Sequence, residues 1–178
     1  DLVIWLHIGS MAVATEGPRF ANRAFLFTPE GDIAARYDKI HLFDVELVDS
    51  NEQYTESETI EPGSEVVVLD TPFGRMGLSV CYDLRFPELY RAMVDRGVEV
   101  LALPAAFTAM TGKAHWDILV RARAIENVCY VIAAAQGGFH IASRQTYGHA
   151  PERRDRHRHH DVGAAPAIDL PDRVGEHA

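Results

Sequence analysis

The sequence predicts an α/β fold built as a layered sandwich. Its first half pairs short apolar runs around turn signals, which is typical of antiparallel hairpins. Its second half alternates apolar runs with longer helix-like stretches, which is typical of parallel strands joined by helical crossovers. A chain of 178 residues, 47% of them hydrophobic, is long enough to bury one core, so we expect one folded domain.

The first elements follow from apolar runs and turn residues. Leu2–Ile8 is a continuous apolar run and predicts a buried strand. Ala24–Thr28 and Ile33–Lys39 flank the turn sequence Pro-Glu-Gly-Asp and predict a hairpin. The acidic, polar stretch Asp44–Gly63 predicts a long loop of the kind that often carries functional residues.

The middle of the chain predicts a second hairpin and then a helical crossover. Glu65–Asp70 and Arg75–Val80 flank Thr-Pro-Phe-Gly, which predicts the hairpin. Pro87–Arg96 predicts a helix, because proline is favoured in the first turn and Gly97 supplies a stop. Val98–Leu103 follows as a strand that ends at a proline.

One more crossover and a loop complete the predicted elements. Ala114–Val128 predicts a helix, and Cys129–Ala135 predicts an apolar strand. Three residues share the expected inward face of that helix at helical spacing: Ile118, Ala122 and Ile125. Gln136–His149 predicts a loop with a turn at its two adjacent glycines.

Charge and composition exclude several classes of partner. A formal net charge of −9 argues against nucleic acid or an anionic membrane as the main partner. No apolar run reaches the length of a membrane span, and the N-terminus does not resemble a signal peptide. Two cysteines in apolar settings do not form a disulfide framework, so we expect a reducing, cytoplasmic location.

The composition changes abruptly after His149. Residues 150–178 begin with an Arg/His-rich run and continue rich in Ala, Pro, Asp and Gly without periodicity. We expect a disordered tail, or sequence translated out of frame, following a domain that spans residues 1–149. A His-rich metal site is the minor alternative, because nothing in this tract fixes ligand spacing.

Cys81 is the strongest candidate for chemistry. It ends an apolar, strand-like run and precedes a charged, proline-marked helix start, which places its thiol on a sharp strand-to-helix turn. A nearby lysine would favour the thiolate and stabilise an oxyanion, and Lys39 is the candidate. The backbone N–H of Tyr82 is a second expected oxyanion donor, and Glu56 lies in the acidic loop.

Two long motifs and several shorter ones resemble the nitrilase, or carbon–nitrogen hydrolase, superfamily. Together they cover residues 1–149 in the family's order, nearest its deaminated-glutathione amidase and ω-amidase branches. The matching segments are Tyr37–Asp44, Gly77–Leu89, Pro104–Phe107, Thr111–Trp116, Arg121–Asn127, Ala133–Gly138 and Tyr147–His149.

The resemblance implies an α-β-β-α sandwich and an amidase that acts on a small carboxylate-bearing substrate through a cysteine thioester. By the same resemblance Cys81 is the nucleophile, Lys39 stabilises the tetrahedral intermediate and Glu56 positions the lysine and substrate. Four further residues are expected to bind substrate, with the first of them taking its carboxylate: Arg85, Tyr82, Phe107 and Thr111. The resemblance implies no metal or organic cofactor, and it implies a homodimer.

Alternatives remain open at this point. The resemblance places the family's general-base glutamate upstream of the segment matched by Asp1, so a domain lacking its N-terminal part, folded but inactive, is one of them. Others are an ω-amidase, a carbamoyl-amide hydrolase and a thiol-based redox or binding module. Arg85 has a structural alternative as the ion-pair partner of Asp83 or Glu88. We expect His41 and His115 to be hydrogen-bonded structural residues, and Cys129 to be inert core.

Overall fold

The computed structural model describes residues 3–47, 52–140 and 145–147. The described strands are β1 Leu6–Ala14, β2 Phe20–Phe27, β3 Ile33–Asp38, β4 Asp44–Leu47, β5 Glu52–Thr55, β6 Ile60–Glu61, β7 Val68–Thr71, β8 Gly74–Leu78, β9 Val100–Ala102, β10 Tyr130–Ile132, β11 Gly138–His140 and β12 Gln145–Tyr147. The helices are α1 Pro87–Val94, α2 Ala109–Thr111 and α3 Asp117–Asn127, with 3-10 helices at Glu56–Glu58 and Cys81–Arg85 and a π-helix at Gly112–Trp116.

The first sheet is organised around β2. It pairs antiparallel with β1 on one side and with β3 on the other, while β6 runs parallel to its first residues. The β2–β3 pairing confirms the first predicted hairpin. Its turn closes through a 2.8 Å hydrogen bond from the Thr28 N–H to the Asp32 carbonyl, and Gly31 supplies the positive φ of 90° that the turn requires.

The second sheet has the strand order β10-β9-β8-β7. β7 and β8 pair antiparallel, which confirms the second predicted hairpin, and β8, β9 and β10 run parallel. α1 connects β8 to β9, and α3 connects β9 to β10, as parallel neighbours require. Gly97 ends the α1 segment with a φ of 76°, a conformation that other residues rarely adopt.

The core has a cluster between the two sheets and others between the second sheet and the helices. The inter-sheet cluster joins Ala24, Leu26 and Tyr37 from the first sheet to Met76, Leu78, Val80, Val100 and Ala102 from the second. On the other face, α1 buries its apolar side against Val98, Leu101 and Cys129. Burying one large apolar side chain contributes about 1.5–3 kcal/mol, so these contacts fix the order of the layers.

The described residues therefore supply three layers in the order helices, sheet, sheet. This arrangement confirms the predicted α/β class and its two-sheet core. Among the described helices, none is long and apolar enough to cross a membrane. Residues 150–178, predicted to be disordered or out of frame, lie outside the described residues.

The prediction for the first strand was wrong in both position and burial. The strand is Leu6–Ala14 and not Leu2–Ile8, and it lies at one end of the strand order of its sheet. Leu6 and Ile8 are 47% and 37% exposed. Alternate residues of a strand point to opposite faces, and here the Gly9 face lies against the second sheet, where an added Cβ would contact Pro104. An apolar run does not reveal which of its faces is covered.

Two predicted loops contain paired strands. Asp44–Gly63 includes the antiparallel pair β4–β5, the first 3-10 helix and β6. Gln136–His149 includes the antiparallel pair β11–β12. Both segments lack an apolar run, and the strands pair through backbone hydrogen bonds that composition does not indicate.

The predicted inward face of the second long helix was also wrong. Ile118 and Ile125 are 68% and 66% exposed. The residues that α3 buries are Val120, Arg123, Ala124 and Asn127. Two of these are polar and have buried partners: Arg123 donates to the Leu84 carbonyl, and Asn127 donates to the Arg123 carbonyl. Apolar spacing therefore predicted the wrong side of the helix.

Candidate active site

A cleft of about 800 Å³ opens beyond the carboxyl ends of the parallel strands. The segments that follow β8, β9 and β10 form one side of it, and the segments that follow β3 and β5 form another. Crevices of this kind are the usual binding sites of open α/β sheets. All seven residues that the sequence predicted for the site line this one cleft: Lys39, Glu56, Cys81, Tyr82, Arg85, Phe107 and Thr111.

Cys81 lies on a strained turn between β8 and a 3-10 helix. Its φ of 51° is in the left-handed region, where a non-glycine residue costs about 1–3 kcal/mol unless the surroundings hold it. They do so here, because the Cys81 N–H donates to the Pro104 carbonyl at 2.9 Å and the Val80 N–H donates to the Asp83 carboxylate at 2.8 Å. The geometry confirms the predicted strand-to-helix turn and presents the sulfur to the cleft.

Burial raises the pKa of the Cys81 thiol, and this effect outweighs the other contributions. The positive charge of Lys39 lowers that pKa, as expected, and so does a hydrogen bond from the Ala106 backbone. The carboxylates of Glu56 and Asp83 raise it further. Burial therefore favours the neutral thiol of Cys81 over the thiolate, so attack by the sulfur requires removal of its proton.

Lys39 and Glu56 form a buried ion pair beside the cysteine. Lys39 is only 2% exposed, and its ammonium donates to Oε2 of Glu56. The same oxygen accepts the Phe43 N–H at 2.7 Å, while Oε1 accepts the Asn22 amide at 3.0 Å. A buried ammonium is tolerated when its partner is so well fixed. Glu56 therefore holds the Lys39 ammonium in place and is more than one charge among many in an acidic loop.

Arg85 lies on the other side of Cys81, against two aromatic rings and a histidine. Its guanidinium carbon is 5.8 Å from the Tyr82 ring centre and 5.6 Å from that of Phe107. Its Nη2 lies 3.2 Å from Nδ1 of His115. The rings and the histidine leave the guanidinium able to face an anion in the cleft.

The alternative that Arg85 is a structural ion-pair partner is wrong for Asp83, and the described residues give it no support for Glu88. The Asp83 carboxylate is fully buried and accepts hydrogen bonds from other donors, and within residues 52–140 neither carboxylate forms an ion pair with Arg85. His41 is hydrogen-bonded to Asp83, as expected for a structural histidine. Cys129 is buried and donates to two backbone carbonyls, as expected for inert core.

The far wall of the cleft is built by an irregular helical segment. Phe107 packs edge-on against Trp116, with ring centres 5.0 Å apart. The Thr111 hydroxyl lies 2.8 Å from that of Thr108, which caps α2. A π-helix follows at Gly112–Trp116, and such segments are frequent at functional sites.

Sequence reasoning missed several residues of the cleft. Asn22 is the clearest, because it holds Glu56 from the strand β2, on the same face as the buried Ala24 and Leu26. A polar residue at an inward strand position is the signal that was available. Four others line the cleft outside the matching motifs, and two line it within them without having been singled out: Ser10, Gln53, Tyr54 and Thr108 are outside, Ala106 and Gln136 within.

Metal chemistry has no candidate site in the part of the chain that the structure describes. The described residues contain no group of three or more His, Cys, Asp or Glu side chains that could hold a metal ion.

Comparison with known proteins shows which family the sequence matches. The sequence profile of the carbon–nitrogen hydrolases matches residues 1–150. The deaminated glutathione amidase of Yersinia enterocolitica is 51% identical over 148 residues, which cover 82% of this chain and 52% of that protein.

Two solved structures have a fold similar to that of this chain. The Caenorhabditis elegans NitFhit protein matches with a TM-score of 0.75 and 46% identity, over 83% of this chain and 36% of that one. A variant of the amidase from Nesterenkonia sp. AN1, which shows Michael addition of acrylamide at its active-site cysteine, matches with a TM-score of 0.67 and 29% identity, over 82% of this chain and 52% of that one. The chain spans about half the length of the amidase relatives it matches.

Proposed function

Because the chain belongs to the carbon–nitrogen hydrolase family, we propose that its cleft hydrolyses the amide bond of a small carboxylate-bearing molecule through a thioester on Cys81. One observation carries the proposal. Cys81, on a left-handed turn, shares a single cleft with the buried Lys39–Glu56 pair and with Arg85. The acrylamide adduct on the active-site cysteine of the Nesterenkonia amidase supports the choice of nucleophile.

The chemistry proceeds in two halves. In the first, the Cys81 sulfur bonds to the amide carbon while its thiol proton passes to a base, and the carbonyl electrons move to oxygen. The Lys39 ammonium and the Tyr82 N–H are the proposed donors to that oxyanion. Collapse breaks the C–N bond, and the nitrogen leaves with the transferred proton. In the second half, water attacks the thioester and the C–S bond breaks, which releases a carboxylic acid and regenerates the Cys81 thiol.

The Tyr82 N–H suits this role because of its position in the chain. It belongs to the first turn of the 3-10 helix that begins at Cys81. The first N–H groups of a helix have no acceptor within the helix, so they are available to a ligand. Lys39 approaches from the segment after β3, which places the two proposed donors on different elements.

Arg85 is the residue that we propose binds the substrate carboxylate. Its guanidinium is fixed between Tyr82, Phe107 and His115 and offers a planar pair of donors. The Yersinia relative is named for deaminated glutathione, and we propose the same substrate here. An ω-amidase would instead prefer the monoamide of a short dicarboxylic acid, and a carbamoyl-amide hydrolase would release carbon dioxide together with ammonia.

The second candidate is a chain that keeps the fold without turnover. Both oxygens of Glu56 already accept hydrogen bonds, from Lys39, Phe43 and Asn22, so this carboxylate is poorly placed to take the Cys81 proton. Loss of general-base help typically lowers a rate by about 10²–10⁴-fold. A thiol with normal reactivity toward alkylating agents but no hydrolysis of any of these amides would identify this case.

The test measures hydrolysis of three amides: deaminated glutathione, followed by release of the peptide amine from its amide bond, and succinamate and neutral butyramide, followed by release of ammonia. We expect kcat/KM to be highest for deaminated glutathione and lowest for butyramide. Cys81→Ser should abolish release, while Cys129→Ser, the matched change at the other cysteine, should leave it unchanged. Turnover that survives Cys81→Ser, or equal rates for charged and neutral amides, would contradict the proposal.

A further inference from the structure

Asp83 is the most completely buried carboxylate near the nucleophile. It lies two residues after Cys81 in the 3-10 helix, and its exposed fraction is 0%. A carboxylate in such a place is tolerated only when several donors satisfy it. Its partners therefore show what the residue holds together.

Each oxygen of Asp83 accepts from two donors. Oδ2 accepts the Tyr37 hydroxyl at 2.7 Å and the Val80 N–H at 2.8 Å. Oδ1 accepts the His41 N–H at 3.0 Å and lies 2.7 Å from Nδ1 of the same histidine, the distance of a hydrogen bond donated by the ring. The His41 ring is fixed from its face by Phe86, with ring centres 3.7 Å apart and planes within 8°.

The donors come from the two segments that carry the reacting groups. Tyr37 and His41 flank Lys39, each two residues away along the chain. Val80 immediately precedes Cys81. One buried carboxylate thus ties the lysine segment of the first sheet to the cysteine turn of the second.

The charge of Asp83 gives no electrostatic help to the nucleophile. A negative group near the sulfur raises the pKa of Cys81 and so opposes the thiolate. The value of this carboxylate to the site must therefore lie in the geometry that it imposes. Fixed geometry matters for rate, because a misplacement of about 1 Å can lower a rate about 10²-fold.

We propose that Asp83 is a positioning residue that sets the placement of the Lys39 ammonium relative to the Cys81 sulfur. The inference rests on the proposed function of that pair. It assigns Asp83 no contact with substrate. It also gives Tyr37 and His41 a role, since they are the two anchors through which the carboxylate acts on the lysine segment.

The experiment measures how strongly Lys39 influences the thiol, with and without Asp83. Alkylation of Cys81 by iodoacetamide is followed against pH in a background where Cys129 is serine. Lys39→Met removes a positive charge, so it should raise the alkylation midpoint by about one pH unit. In an Asp83→Asn background the same change should shift the midpoint by less than half as much, because the ammonium is no longer held beside the sulfur.

A second variant that perturbs the carboxylate less provides the same test if Asp83→Asn does not fold. Tyr37→Phe removes one of the four donors and leaves the carboxylate in place, and it should reduce the Lys39 effect by a smaller amount. Tyr90→Phe is the matched control, because Tyr90 is equally buried but donates its hydroxyl to Ser79. It should leave the Lys39 effect unchanged.

The two proposals fail in distinguishable ways. If Lys39→Met shifts the midpoint equally in the presence and absence of Asp83, Asp83 is merely structural and the inference is overturned, whatever the turnover. If the shift is reduced while no amide is hydrolysed, the positioning role stands and the proposed function fails. Where turnover is present, Asp83→Asn should lower kcat about 10²-fold and leave KM nearly unchanged. A rise in KM alone would contradict the inference.

Discussion

Replacing Glu56 by glutamine tests the buried ion pair most sharply. The exposed fractions of the Lys39 and Glu56 side chains are only 3% and 17%, so water screens this pair weakly. Removing one partner of such a pair leaves an uncompensated buried charge, which costs about 3–5 kcal/mol in free energy of unfolding. Glutamine keeps the shape, and its single oxygen can still accept from the Phe43 N–H, so the loss reports the charge together with the one acceptor that faces Asn22.

The measurement is urea unfolding followed by circular dichroism, with the melting temperature as a second readout. For a domain of this size, about 3–5 kcal/mol corresponds to a fall in Tm of about 6–20 °C. Glu58→Gln is the matched control on the same 3-10 helix, and because Glu58 is exposed we expect a change within about 0.5 kcal/mol.

A double variant separates stability from catalysis. Lys39→Met with Glu56→Gln leaves neither charge buried, so it should recover most of the lost stability. Amide hydrolysis should nevertheless be abolished in the double variant, because the proposed oxyanion donor is gone. If Glu56→Gln changes the free energy of unfolding by less than about 1 kcal/mol, the pair is not the desolvated interaction that the reasoning requires.

Three further predictions follow from the geometry of the cleft. An added Cβ at Gly63 would lie 2.2 Å from the backbone oxygen of Asp38, the residue before Lys39. Gly63→Ala should therefore lower the free energy of unfolding by about 1–3 kcal/mol and lower the rate of amide hydrolysis. Gly137→Ala, with open space around it, should change neither the melting temperature nor that rate. Because burial raises the pKa of Cys81, its rate of alkylation by iodoacetamide should climb with pH to a midpoint above about 8.5; a midpoint clearly below that value would contradict this direction. Arg85→Met should raise KM for deaminated glutathione about 10-fold or more through loss of a charged hydrogen bond, and should leave butyramide kinetics unchanged.

The sequence predicted the parts of the fold that local signals control. Turn residues between apolar runs located both hairpins, and Gly97 marked the end of its helix. The alternation of strands and helices in the second half was enough to predict parallel pairing through crossovers. These features depend on backbone conformations that a few residue types favour strongly.

The prediction failed where burial depends on a distant partner. Ile118 and Ile125 have the spacing of a buried face, yet α3 buries Arg123. Its guanidinium can be buried because it donates to the Leu84 carbonyl and to the Glu126 carboxylate. Nothing within the helix sequence indicates that carbonyl. The β4–β5 hairpin was missed for a similar reason, since its strands are polar and pair through the backbone.

For the site, motif resemblance brought together the residues that one cleft contains. It did not reveal that Asn22 holds Glu56, or that Asp83 faces inward and not toward Arg85. These contacts join segments that are far apart in the chain, so no local spacing encodes them. The predicted homodimer, the cytoplasmic location and the absence of nucleic acid or membrane partners stay predictions.

The central claim is that Cys81 carries the acyl group during turnover. The most direct measurement is mass spectrometry of the chain acid-quenched within milliseconds of mixing with deaminated glutathione, followed by peptide mapping. We expect the peptide containing Cys81 to gain the mass of the substrate less its departing peptide amine, and hydroxylamine to remove this mass. An acyl group mapped elsewhere, or steady amide hydrolysis with no acylated peptide and full activity in Cys81→Ala, would contradict it.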